Sequence, residues 1–236
     1  MKSVSTLVFA LSLLFSLALS PTTQPASLSP SDFDFKSLLG DPPSDGSAIQ
    51  QAEIRKIVAL QSHHTESDPD IARCKREVDM TVFSAFSPVL GPSFNKKELP
   101  RTAALMEEVY DQSRTISKPA KKLWDRRRPF FDPLVHAFVK KEPNASYPSG
   151  HATEATMWAT LLAEIFPEDR SALMARADQI GQDRILAGMH YPSDVAAGVK
   201  LGAEIARRML LDDHIQAELA QAKAECAALT NPKSKI

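Results

Sequence analysis

The sequence lacks the features that would place it in several broad classes. Its 236 residues hold two cysteines, Cys74 and Cys226, too few for a disulfide scaffold. An oxidising compartment would permit them to close one loop spanning most of the chain, a bond worth up to ~4–5 kcal/mol in the chain-entropy model. Spacing alone leaves open whether they meet. Nothing has zinc-ligand spacing: His63-His64 is the tempting pair, and adjacent residues point in different directions on a helix. No charge of one sign dominates, since 28 Lys+Arg against 29 Asp+Glu give a net −1. A domain that binds nucleic acid in bulk would be basic. No second long apolar run follows the one near the N-terminus, which argues against a polytopic helical membrane protein. No stretch alternates apolar and polar residues as a half-buried strand would, and no internal repeat is present.

What is there begins with a leader. Lys2 precedes an apolar run over residues 7–19, too short to span a bilayer comfortably, and Ser16, Ala18 and Ser20 supply small residues for cleavage ahead of Pro21. Residues 1–20 therefore read as a signal peptide, with an uncleaved anchor as the alternative. No cysteine follows to carry a lipid anchor, so the mature chain is expected in a periplasm with no membrane span. Residues 21–47 are rich in Pro, Ser, Thr and Asp and read as an extended arm. Residues 48–230 predict a single helical domain, with a core drawn from a composition that is 43% hydrophobic. Apolar spacing predicts helices over residues 47–62, 68–86, 96–117, 152–166, 170–188 and 192–228. Pro119 opens a further one that stops near Arg128-Pro129. The expected fold class is all-α, a compact helical bundle.

Three pieces of this pattern carry chemistry. In Ser146-Tyr147-Pro148-Ser149-Gly150-His151, Pro148 fixes the backbone and Ser149 is a good N-cap for the apolar run that follows. The stretch reads as a loop turning into a helix N-terminus, where free N–H groups and the dipole favour an anion. Gly150 allows close approach and His151 adds a titratable group. Lys121 and Arg128 lie seven residues apart, two turns if helical, which would put both cations on one face. Arg184 precedes His190 and Asp194, which bracket Pro192; a carboxylate in the first turn of the last helix can reach back to one imidazole nitrogen and aim the other. Taken singly, a capped helix, a basic helix face and an N-terminal carboxylate explain each piece as well.

In this order, Lys121-x6-Arg128-Pro129, Pro148-Ser149-Gly150-His151 and Arg184-x5-His190-x3-Asp194 resemble the three-part signature of the type 2 phosphatidic acid phosphatase superfamily, which includes the vanadium haloperoxidases. The sequence is most similar to the class A bacterial non-specific acid phosphatases, which share the core at 146–151, and the likeness covers most of the mature chain. The resemblance implies the helical fold of those enzymes and an exported acid phosphatase acting on small phosphomonoesters without a metal or other cofactor. It implies that Lys121, Arg128, Ser149, Gly150 and Arg184 hold the phosphoryl oxygens. His190 would be the nucleophile, oriented by Asp194, and His151 the acid that protonates the leaving group, with an acidic optimum if His151 must start protonated. A homodimer is also implied.

The sequence departs from the family at three positions. Asp183 stands where a Ser usually precedes the motif Arg, and an acid there could draw Arg184 off the phosphate. Ala145 replaces a Gly, and Ala152 replaces a Thr. The competing readings are another superfamily enzyme (a lipid or pyrophosphate phosphatase, a phosphotransferase or a vanadate-dependent haloperoxidase) and a non-catalytic periplasmic anion-binding protein.

Overall fold

The computed structural model of the chain describes residues 28–230; the expected signal peptide lies outside the described residues. The described residues form nine α-helices and no strand. They are α1 (Phe35–Leu39), α2 (Ala48–Gln61), α3 (Pro69–Arg76), α4 (Val82–Leu90), α5 (Pro100–Trp124), α6 (Gly150–Ile165), α7 (Arg170–Leu186), α8 (Pro192–Met209) and α9 (Asp213–Thr230). The fold is all-α.

Local sequence sets most of the starts. The Ser47 hydroxyl accepts the Gln50 N–H ahead of α2, Thr81 and Ser84 make a reciprocal capping box ahead of α4, and Pro100 and Pro192 occupy first-turn positions of α5 and α8. The boundaries differ from the sequence expectation in three places. The stretch 68–86 is two helices, because the Glu77 carboxylate turns inward to pair with Arg176 at 2.6 Å and Thr81 restarts the chain. The stretch 192–228 is also two: the Asp212 carboxylate caps α9 by accepting the N–H groups of His214 and Ile215 at 2.8 and 3.1 Å. Pro119 opens no new helix. It lies inside the 25-residue α5. An interior Pro costs about 3 kcal/mol, and the fully buried Ile116 and Ala120 beside it hold the helix together through packing.

Helix α6 is the centre of the molecule. From Ala152 to Ile165 all but Glu154, Thr160 and Glu164 are buried, and α7 and α8 make its main contacts. Helix α8 approaches closely because it presents Gly198 and Gly202 to α6. A Cβ at Gly198 would fall 2.5 Å from the Ser149 carbonyl oxygen and 2.9 Å from the Ala152 Cβ. This seam brings the starts of α6 and α8 together, and the Ser149 N–H donates to the Asp194 carbonyl at 2.9 Å.

The stretch read as an extended arm is, from residue 28, a folded clasp. A 3-10 turn (Pro30–Asp32) and α1 carry the buried Phe33 and Leu39 onto the main core, and the Tyr147 hydroxyl donates to the Leu39 and Gly40 carbonyls at 3.0 Å. The cysteines do not pair. Cys74 packs with Ile71, Phe130, Leu186 and Met189, while Cys226 belongs to the main core, and both thiols are free and buried. His63 is exposed, and His64 places Nδ1 3.0 Å from the Leu60 carbonyl and Nε2 3.5 Å from Asp70.

Candidate active site

The segment between α5 and α6 turns back across the ends of α7 and α8. Helix α5 ends at Trp124, where Asp125 takes a left-handed φ of 44° and its N–H bonds to the Lys121 carbonyl at 3.1 Å. Arg128 therefore lies beyond the helix, in extended backbone ahead of a 3-10 turn (Pro129–Phe131). The seven-residue spacing from Lys121 is not two helical turns. The two cations meet because the chain reverses after Asp125.

They meet at a cavity of about 450 Å³ lined by Lys121, Arg128, Gly150, His151 and His190. Arg184 lies fully buried next to this set, and Ser149 and Asp194 are buried in the layer behind. Lys121 donates to the Ala145 carbonyl at 2.7 Å, and burial together with nearby Arg128 pushes its ammonium down to about 7. Arg128 donates to the carbonyls of Asn144 and Met189 at 2.8 and 3.0 Å, and its Nη1 lies 3.2 Å from Nε2 of His190. The Glu142 carboxylate bridges the two arginines, 2.8 Å from Arg128 Nη2 and 3.1 Å from Arg184 Nη2. Arg184 Nε and Nη1 are buried with no hydrogen-bond partner. Buried N–H groups left unpaired beside two other cations are the donor set an oxyanion requires.

The histidines sit in different surroundings. Nδ1 of His190 faces Asp194 Oδ2 at 3.5 Å and the Ser146 hydroxyl at 3.3 Å, leaving Nε2 directed towards Arg128. Burial, then Arg128 and Lys121, hold its imidazole well below the usual histidine range, so it keeps a free lone pair in acid. Nε2 of His151 lies 3.0 Å from the Glu77 carbonyl and 3.3 Å from the Val78 carbonyl, which makes it the protonated nitrogen and leaves Nδ1 free. Burial and Arg184 push His151 down to about 3. The Ser149 hydroxyl caps α6 by accepting the Ala152 N–H at 3.4 Å.

Several residues that the motif spacing does not mark are as closely involved. Arg126 donates to Asp194 Oδ1 at 2.6 Å and pairs with Glu53 of α2 at 3.0 Å, while its guanidinium carbon lies 4.1 Å from the Tyr191 ring centroid. Ser146 and the Tyr191 N–H donate to Asp194 Oδ2 at 2.5 and 2.8 Å. Burial pushes the Asp194 carboxyl up, and these donors hold its charge against that push. Asp183 does not touch Arg184: it makes a two-point pair with Arg73, at 2.6 and 2.8 Å. Neighbouring residues on α7 point about 100° apart, and α3 supplies the partner.

Fold and site together define an all-helical protein with cations clustered at one cavity beside two histidines in unlike surroundings. Residues 112–214 match the family model of the PAP2 superfamily, and the chain carries a PAP2-superfamily domain. Over 204 residues it is 29% identical to a non-specific acid phosphatase of Salmonella typhimurium, covering 82% of this chain and 81% of that one. It is 45% identical over 58 residues to a lipid A 1-phosphatase of Rhizobium johnstonii, which covers 25% of this chain and 24% of the relative. Among solved structures, a transmembrane PAP2-type phosphatidylglycerolphosphate phosphatase from Bacillus subtilis aligns with a TM-score of 0.49 and 23% identity, over 70% of this chain and 85% of that one.

Proposed function

We propose that the protein is an exported acid phosphatase that hydrolyses phosphomonoesters through a phosphohistidine intermediate without a metal. The observation that carries this reading is His190: a neutral imidazole, braced at Nδ1 by Asp194 and Ser146, with Nε2 at the Arg128 guanidinium of a buried cationic site. The likeness to acid phosphatases over most of both chains supports the substrate class. Lys121, Arg128, Arg184 and the Gly150 N–H would hold the non-bridging oxygens, with the buried Ser149 fixing the start of α6 behind them. Phosphoryl transfer is driven mainly by such positioning and charge stabilisation.

His190 Nε2 attacks phosphorus as the ester P–O bond breaks, and His151 Nδ1 gives its proton to the departing alkoxide. His151 then takes a proton from water, the hydroxide attacks the phosphohistidine, and phosphate leaves as the P–N bond breaks. A histidine held at about 3 carries little charge in mild acid. The bound phosphoryl dianion supplies the negative charge that restores the imidazolium, so the proton arrives together with the substrate.

The test is hydrolysis of an aryl phosphate across pH, with EDTA, with orthovanadate, and by His190→Ala. Activity should survive EDTA, fall with vanadate, and drop by about a thousandfold or more in the variant. A His190→Ala protein with full turnover would eliminate this nucleophile. Fractionation of cells expressing the full chain tests export, and sedimentation tests the homodimer that the family resemblance implies.

A further inference from the structure

The cavity is larger and more cationic than one phosphoryl group requires. Six of its lining side chains are Lys or Arg against three Asp or Glu, in a chain whose net charge is −1. Lys121 and Arg128 belong to the phosphoryl site. The other four cations, Arg114, Lys118, Lys140 and Lys141, are exposed at the rim. Some cations elsewhere are paired, as in Arg73 with Asp70 and Asp183, Arg176 with Glu77, and Arg207 with Glu204, and others stand singly on the surface; the four at the rim are distinguished by converging on one cavity. None of the four rim cations has an ion-pair partner among the described residues. Arg114 donates to the Tyr110 hydroxyl at 2.8 Å, and Lys141 Nζ lies 5.4 Å from the Phe130 ring centroid.

Their placement has a definite direction. Arg114, Lys118 and Lys121 share one face of α5, so Lys118 stands about 4.5 Å and Arg114 about 10 Å along the axis from the phosphoryl-binding Lys121. Lys140 and Lys141 come from the separate loop that also supplies Glu142. The lining acids offset little of this charge. Glu142 is committed to Arg128 and Arg184, and burial pushes Glu154 up to about 7, which leaves it neutral in acid. Asp79 remains.

We infer that the cavity takes phosphomonoesters bearing a second phosphate, held at the rim by Arg114, Lys118, Lys140 and Lys141 while the first is held by Lys121, Arg128 and Arg184. This rests on the phosphatase reading and assigns the substrate class within it. A second anion gains charge-assisted contacts that a monophosphate leaves unused.

The experiment compares fructose 6-phosphate with fructose 1,6-bisphosphate, on the native chain and on the triple variant Lys118→Gln/Lys140→Gln/Lys141→Gln. The bisphosphate offers two hydrolysable groups, so a ratio of two in kcat/KM is the statistical baseline. The native enzyme should prefer the bisphosphate by tenfold or more, mainly through KM. The triple variant should bring the ratio to about two, with less than a threefold change on the monophosphate. A native ratio near two, with the monophosphate turned over, overturns the rim site and leaves the phosphatase reading standing. An equal loss on both substrates in the variant also overturns it, because cations that hold the second phosphate would cost the bisphosphate more than the monophosphate. Calorimetric titration of both sugars into His190→Ala reads the preference with no turnover required: tighter bisphosphate binding supports the rim site even if the phosphatase reading fails, and equal binding overturns it.

Discussion

At the residue scale, Glu142 and Lys121 govern how the site meets an anion. Glu142 lays its carboxylate across Nη2 of Arg128 and Nη2 of Arg184, and on the phosphatase reading it would compete with a phosphate for those two nitrogens. Glu142→Gln removes the competing charge and keeps the shape. Inorganic phosphate should then inhibit about tenfold more tightly, an energy of about 1.4 kcal/mol, within the range of one charge-assisted hydrogen bond. Unchanged or weaker inhibition would show that Glu142 organises the arginines and does not compete for them. Lys121, held near 7, loses its charge as pH rises through neutrality, so kcat/KM should fall on that limb. Lys121→Arg cannot titrate there and should flatten it. A limb that survives in the Arg variant belongs to the substrate's second ionisation or to Glu154.

The residues that sequence reading singled out and those it passed over differ in how they act. Lys121, Arg128, His151 and His190 face one cavity, and fixed motif spacing makes such residues visible in one dimension. Arg126 and Glu53 form a buried chain to Asp194 that joins α2 to α8 through the loop after α5. In the sequence Arg126 is one of three consecutive arginines and Glu53 one more polar helix residue. Nothing local separates the inward-turning Arg126 from the exposed Arg127 beside it. Asp183 was legible as a departure, but its Arg73 partner is 110 residues away.

At the scale of elements, the seam between α6 and α8 does the positioning. Ser149 and Gly150 start one helix, while His190 and Asp194 lie together at the start of the other, so the helix separation fixes how that pair meets the Gly150 end of α6. Gly198→Ala places a methyl against the Ser149 carbonyl and the Ala152 side chain, both at distances real side chains do not occupy. It should cost about 1–3 kcal/mol, read from urea midpoints, and should lower kcat at temperatures where the protein stays folded. A full-strength, fully stable Gly198→Ala enzyme would mean that the seam has slack. Helix existence was legible from apolar spacing; the breaks at 77–81 and 210–212 were not. The apolar pattern runs on through both: Glu77 turns inward to Arg176, a partner 99 residues away, while Asp212 is a local cap that the surrounding apolar residues mask in the sequence.

For the whole molecule, titratable side chains buried in a helical core tie stability to pH. His151 and His190 stay neutral when folded but take up protons near their ordinary value of 6.5 when unfolded. Below that pH the unfolded chain binds more protons, so each histidine removes stability as pH falls, at about 1.4 kcal/mol per pH unit, and for His151 down to about 3. Glu154 works the other way. Held up to about 7 against an ordinary 4.5, it is protonated first in the folded protein, so it adds stability as pH falls through that interval. One carboxyl offsets about one of the two histidines, so the thermal midpoint should fall gently from about pH 6.5 to 5 and steeply below, where Glu154 has no more to give and Glu204 begins to lose its arginine pairs. Glu154→Gln removes the compensation. Its midpoint should fall about twice as steeply below pH 6.5, and by pH 4.5 the variant should trail the native protein by several degrees more than at pH 7. Midpoint curves that run parallel would mean that Glu154 titrates alike in the folded and unfolded chains, and the acid tolerance would then have to come from elsewhere in the core.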